Sequence, residues 1–161
     1  MTIVSNTSPI LNLAKIGQID LLQKLYETVL IPTAVYDELL DPRAGESIIK
    51  AVQSANWLEV QVVQNQQLVG DLRNILNLGE AEAIALAIEV NANRLLIDER
   101  LGREAAVVRG LRITGVFGIL LIAKQKGLIT AVKPAIDDLI TQANFRVSSQ
   151  LYTNVLEAAN E

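Results

Sequence analysis

The sequence predicts one α/β domain spanning residues 1–161, a three-layer α/β/α sandwich around a parallel sheet of about four to five strands. Three observations carry this reading. Short β-branched runs alternate with helical stretches of roughly 10–13 residues, the spacing of right-handed βαβ units. Half of the residues are hydrophobic but only 4% are aromatic, which suits Val/Ile/Leu strands buried on both faces beneath Ala/Leu-rich helices. The length allows one sizeable core, and no repeat, low-complexity tract or linker divides it.

Ile3, Val4 and Ser5 open the chain as a short strand, and Asn6-Thr7-Ser8-Pro9 reads as the turn and helix start that follow. Asn6 thus stands at the carboxyl end of the first strand, where ligands gather in parallel α/β sheets. A helical pattern covers residues 9–15, Gly17 breaks it, and residues 20–26 resume it with Leu21, Leu22 and Leu25. Residues 28–31 form the next strand, and Pro32 opens a helix through Leu40. Residues 46–55 are amphipathic, and 57–63 alternate as an edge or accessory strand. A helical pattern at 68–77 precedes Gly79, and residues 80–90 are apolar almost all round, hence a buried helix. Residues 94–97 are a strand that stops at Asp98; a helix to Val108 ends at Gly110, and 111–114 are the next strand. Residues 116–125 and 130–143 are helical, and Gly102, Gly110, Gly115, Gly118 and Gly127 read as helix and turn punctuation. Ser148 caps a last helix, with Val147 and Tyr152 spaced as a hydrophobic staple.

Composition removes whole classes of chemistry. With no Cys, disulfides, thiolate catalysis and Cys-ligated zinc are excluded; with no His, so are His-dependent triads, His–metal sites and His general bases. Hydrolysis would rest on carboxylates and an oxygen-liganded metal. No apolar run reaches the roughly 18–20 residues of a membrane span. No Lys or Arg precedes Lys15, so the N-terminus lacks the pattern of a secretory signal and a cytoplasmic location is expected. The net charge is −4, yet residues 91–135 carry Arg94, Arg100, Arg103, Arg109, Arg112, Lys124, Lys126 and Lys133 against Asp98, Glu99 and Glu104. That region either receives phosphates or forms solvated helix faces. A mean hydropathy of +0.31 is high for a small monomer, so a homodimer or larger assembly is expected.

Three acids are candidates for one site. Asp98 follows a buried strand directly, so it emerges at the sheet's carboxyl edge; the competing role is to cap the helix beginning near Glu99. Glu80 heads the inward stripe of the buried helix with Ile84, Ala87 and Asn91, while Glu82 falls on the solvent side. Asn77-Leu78-Gly79-Glu80 equally fits a capping box. Glu38 flanks the apolar arc of its helix beside Val35, where it either reaches around the rim or faces solvent. No phosphate-binding glycine motif or EF-hand loop competes with them. Acids grouped without His suit phosphodiester hydrolysis with Mg²⁺ or Mn²⁺.

This order of a polar strand end and three acids resembles the PIN-domain superfamily of metal-dependent ribonucleases, which includes the VapC-type toxins, and in particular a prokaryotic PIN-like branch. The segments that carry the resemblance are IVSNTSPILNLAKIGQIDLL, VLIPTAVYDEL, LGEAEAIALA, RLLIDERLGREAA and GVFGILLIAKQKGLI, which together cover most of the chain. The resemblance implies a four-acid site for Mg²⁺ or Mn²⁺ that cleaves single-stranded or structured RNA, and a small antitoxin protein as partner. Carried over by position, the first acid falls on Asn6, the second on Glu38, the third on Glu80 and the fourth on Asp98. The hydroxyl after the first acid falls on Ser8, with Thr7 beside it; Glu82 is the fallback third acid, and Glu99 could assist the fourth. Asn6 departs from the pattern, since an amide oxygen coordinates a hard cation without bringing charge. Three readings follow: a ribonuclease toxin, a PIN-like module that binds RNA or a partner without cleaving, and a generic α/β oligomer whose acids are caps and surface.

Overall fold

The β-branched runs pair side by side as five parallel strands, in a computed structural model that describes residues 1–161. They are β1 (Ile3–Ser5), β2 (Val29–Pro32), β3 (Leu58–Gln61), β4 (Arg94–Leu96) and β5 (Ile113–Thr114), in the order β3-β2-β1-β4-β5. From β1 the chain winds outward to β2 and β3, then crosses back to β4 and outward again to β5. The winding therefore reverses between β1 and β4, the crevice where open α/β sheets place their ligands. The register pairs Ser5 with Leu96, and the Asn6 N–H donates to Leu96 O at 2.9 Å. Asn6 and Asp98 consequently leave the sheet at the same edge.

Ten helices cover the sheet. α6 (Leu78–Glu89) lies across β1, β2 and β4 and touches α5 (Gln66–Leu72) and α7 (Arg100–Val108). Its Ala81, Ala83, Ile84, Ala85, Leu86 and Ala87 are fully buried, and Ile84 and Leu86 each contribute roughly 1.5–3 kcal/mol of apolar burial. α1 (Thr7–Lys15) packs against α3 (Thr33–Leu39), α4 (Glu46–Ser54), α8 (Val116–Gln125) and α9 (Lys133–Gln142). Right-handed crossovers put α1 and α6 on opposite faces, giving the three layers. α2 (Asp20–Tyr26) leads into β2, and α10 (Ser149–Ala158) closes over α8. No helix is long and apolar enough to cross a membrane.

Four local expectations are corrected. α1 begins at Thr7, so Pro9 is its third residue and Asn6 its N-cap. A proline there is tolerated because first-turn N–H groups have no helical partner. The pattern at 68–77 is helical only through Leu72; Asn77 is extended (φ −74°, ψ 171°) to cap α6, which forces a turn before it. The helix expected at 130–143 starts at Lys133. Of the glycines read as punctuation, only Gly110 (φ 80°) and Gly127 (φ 74°) take the left-handed backbone. Gly102, Gly115 and Gly118 serve close approach instead, as a Cβ on Gly118 would stand 2.8 Å from Thr114 Cγ2.

Candidate active site

Asn6 and Asp98 stand where β1 and β4 end, beside the crevice between them, while Glu80 lies in the first turn of α6 and Glu38 on α3. Asn6 is 2% exposed and its side chain does not cap α1. An N-cap side chain ordinarily bonds the N–H of the second or third helical residue, and Pro9 removes the latter. Asp98 does not cap α7, whose N-cap is Glu99. It spans to the next helix instead, where its Oδ1 accepts the Val116 N–H at 2.9 Å. Arg103, one turn into α7, lies alongside and donates to Ile97 O at 2.9 Å.

Glu80 fills both of the roles open to it. The capping box is formed: Asn77 Oδ1 accepts the Glu80 N–H at 2.9 Å, and Glu80 Oε1 accepts the Asn77 N–H at 3.3 Å. Its second oxygen, Oε2, is turned toward Gly102 of α7. Glu38 reaches around the rim of α3, and its Oε2 accepts the Thr7 hydroxyl at 2.5 Å. The hydroxyl that touches an acid is thus that of Thr7, while Ser8 Oγ accepts from Asn12 Nδ2 at 3.2 Å. Glu82 is not solvated as its helical position suggests. It is half-buried, and its Oε1 accepts the Ala34 N–H at 3.0 Å in the first turn of α3. That bond occupies Glu82 as a cap and leaves Glu80 as the acid of α6 that faces α7.

A glycine seats each of the three acids, which sequence reading missed. A Cβ on Gly79 would stand 2.8 Å from Glu38 Cδ. On Gly102 it would stand 3.0 Å from Glu80 Oε2, and on Gly115 it would stand 2.6 Å from Asp98 Oδ1 and 2.7 Å from Arg103 Nη1. At Gly79 and Gly115 a Cβ could enter only by displacing the carboxylate, while at Gly102 the atom nearest to it is Ile97 Cδ1, at 2.7 Å. Within the chain, each of these glycines follows or precedes an acid or helix start by a few residues. Only the tertiary pairing distinguishes them from ordinary punctuation.

The electrostatics are those of charge held against its preference. Burial raises the Asp98 carboxyl from 3.8 to about 6; the Val116 N–H and Arg103 oppose that rise, and the Glu99 charge adds to it. Burial also raises Glu80, with the Asn77 bond opposing and the charges of Glu99 and Glu38 reinforcing. The Glu99 charge thus bears on both acids. The Oδ2 of Asp98 is buried without any hydrogen-bond partner, although buried polar atoms are nearly always paired. As the side chains stand, no three acids converge closely enough to chelate one ion. The donor set nevertheless fits a hard divalent cation: it is all oxygen, and it includes a buried carboxylate oxygen lacking a partner.

A family model for a PIN domain, DUF3368, matches residues 2–161. The chain belongs to the PIN-domain family. PIN domains are nuclease-type modules that in general depend on divalent metal and bind RNA. No curated protein matches the chain. The five-stranded parallel sheet and the acids at its carboxyl edge are the features of this PIN domain on which a functional reading rests.

Proposed function

We propose that this PIN domain is a metal-dependent endoribonuclease, with Asn6, Glu38, Glu80 and Asp98 as the positions around one Mg²⁺ or Mn²⁺ ion. The observation that carries the reading is the buried, unpartnered Oδ2 of Asp98 at the winding reversal of the sheet. A group so placed is destabilised until a cation meets it. When bound, such an ion lowers the pKa of a water and offsets charge developing on the phosphate.

The chain's own residues do the positioning. Asp98 is oriented by the Val116 N–H, and Glu80 by its capping box with Asn77. Glu38 is held by the Thr7 hydroxyl. Arg103 lies beside Asp98 and partly balances it. Asn6 offers an amide oxygen without charge, and Ser8 lies one helical turn from its partner Asn12. As the toxin of a toxin–antitoxin pair, the protein would be restrained by a small antitoxin protein that covers this acidic crevice; the support is the resemblance to VapC-type toxins.

The test is Mn²⁺-dependent cleavage of single-stranded RNA by the wild type and Asp98→Ala. Outer-sphere partners of a metal are worth roughly 10–100-fold in affinity or activity, so loss of Asp98 is expected to cost about a hundredfold or more. Equal rates would assign the cleavage to a contaminant and end the proposal. Asn6 favours a second reading, a PIN module that binds RNA or a partner protein without cutting. Asn6→Asp separates the two. Under the first reading it raises activity about tenfold or more, by adding the missing charge; RNA binding with no cleavage by either form would establish the second.

A further inference from the structure

Asp98 also lines a cavity of about 660 Å³ between β5, α8 and the start of α10. Its size lies in the range of small-molecule sites, roughly 300–1,000 Å³. Two features of its wall are unlike the rest of the protein. Arg94, Arg103 and Arg146 face it, opposed by Asp98 alone, in a chain whose net charge is −4. Arg146 is exposed and joins no ion pair, and the Arg94 side chain makes one hydrogen bond, to Thr114 Oγ1 at 3.4 Å. The second feature is an aromatic pair in a chain with two phenylalanines in all. Phe117 and Phe145 both line the cavity, half-buried, with ring centroids 5.2 Å apart and planes tilted by 60°.

A ligand that satisfies both features has a flat apolar face and an anionic group. Guanidinium forks recognise phosphate oxygens, and aromatic rings stack on any base because every base has a π-face. We propose that this cavity holds one unpaired nucleotide of the RNA, its base against Phe117 and Phe145 and its phosphate toward Arg146 and Arg103. The inference rests on the ribonuclease reading and adds to it a seat for one nucleotide beside Asp98. Asp98 belongs to both the crevice and the cavity, so the nucleotide held in the cavity adjoins the bond to be cut. A base paired in a duplex cannot enter, so the site selects single-stranded or looped RNA.

The experiment uses the full chain in EDTA, so that binding is read apart from cleavage. The probe is a fluorescently labelled single-stranded RNA heptamer, compared with the same sequence annealed to its complement. Arg146→Ala removes an exposed side chain, and Leu151→Trp fills the cavity from a wall position that is 43% exposed. Each is expected to weaken single-strand binding about tenfold and to leave the weaker duplex binding unchanged. Arg146→Ala should also reduce the slope of log affinity against log salt by about one. Wild-type affinity in both variants would overturn the nucleotide site even if Mn²⁺-dependent cleavage persisted, and so would failure of the wild type to bind the heptamer. Weakened binding without any cleavage would uphold the site while removing the nuclease. A cavity that instead seats a protein segment predicts no change with either RNA, and so counts against the proposal.

Discussion

Asp98 and Glu161 each set a carboxylate at the start of a helix, α8 for one and α9 for the other, and the fold treats them oppositely. Glu161 accepts the Val132 N–H at 2.7 Å, the Lys133 N–H at 3.0 Å and Lys124 Nζ at 2.9 Å. These bonds hold it down at about 2, against an ordinary 4.5. Asp98 accepts one backbone N–H, leaves Oδ2 bare and rises to about 6. Glu161 ties the end of the chain to α8 and α9 by charge that is fully answered. Asp98 keeps charge unanswered where the sheet reverses its winding. The difference separates a carboxylate that holds the fold from one that the fold holds ready for something else.

The contrast breaks most completely at Gly115, the seat of Asp98. Gly115→Ala drives a methyl into Asp98 Oδ1 and Arg103 Nη1. Overpacking of this kind costs about 1–3 kcal/mol, and the displaced carboxylate is expected to carry cleavage down with it. Urea denaturation and the Mn²⁺ assay read the two effects; unchanged stability together with unchanged cleavage would mean that the seat has no function.

A change of sign comes from Asp98→Asn in metal-free protein. The unfolded chain releases this proton near 3.8 and the folded chain near 6. Between those values the folded state binds more protons, so stability falls as pH rises through the interval. The full cost at neutral pH is roughly 3 kcal/mol, and the amide recovers part of it while leaving an unpaired N–H in the same pocket. A net gain of about 1–2 kcal/mol is expected near pH 7.5, fading toward pH 4. A gain independent of pH would refute the buried charge as its cause.

The smallest effect belongs to Glu161→Gln, which lowers Tm. The folded pKa lies below the unfolded one, so this contribution is complete above about 4.5 and disappears as pH falls toward 2. The Tm difference from wild type should therefore shrink on acidification, as it does for Asp98→Asn, but from the opposite sign: a loss that fades against a gain that fades. A Tm change of the same sign in the two variants near neutral pH would erase the comparison.

Much of this arrangement is legible in the sequence because local chemistry states it. The strand 94–97 ending at Asp98, the Asn77–Glu80 capping box and the Ser148 cap, whose Oγ accepts the Leu151 N–H at 3.1 Å, all depend on neighbours a few residues away. What the sequence misplaces depends on distant neighbours. A helical wheel puts Glu82 away from the core of its own helix but knows nothing of the α3 N-terminus that waits there. Asp98 fits a cap for the helix that follows it in the chain and in fact caps one that starts eighteen residues later. The glycine seats are hidden for the same reason, since Gly79, Gly102 and Gly115 meet their acids only across element boundaries.

Pro9 has a consequence for position 6. Because proline offers no N–H to an N-cap side chain, the start of α1 makes little demand on what Asn6 carries beyond its backbone. Folding and chemistry are decoupled there: amide and acid are nearly interchangeable for the helix, and only the crevice registers the exchange. In that sense the residue that departs from the family pattern is a dial set by one side chain, and turning it leaves the scaffold around it where it was.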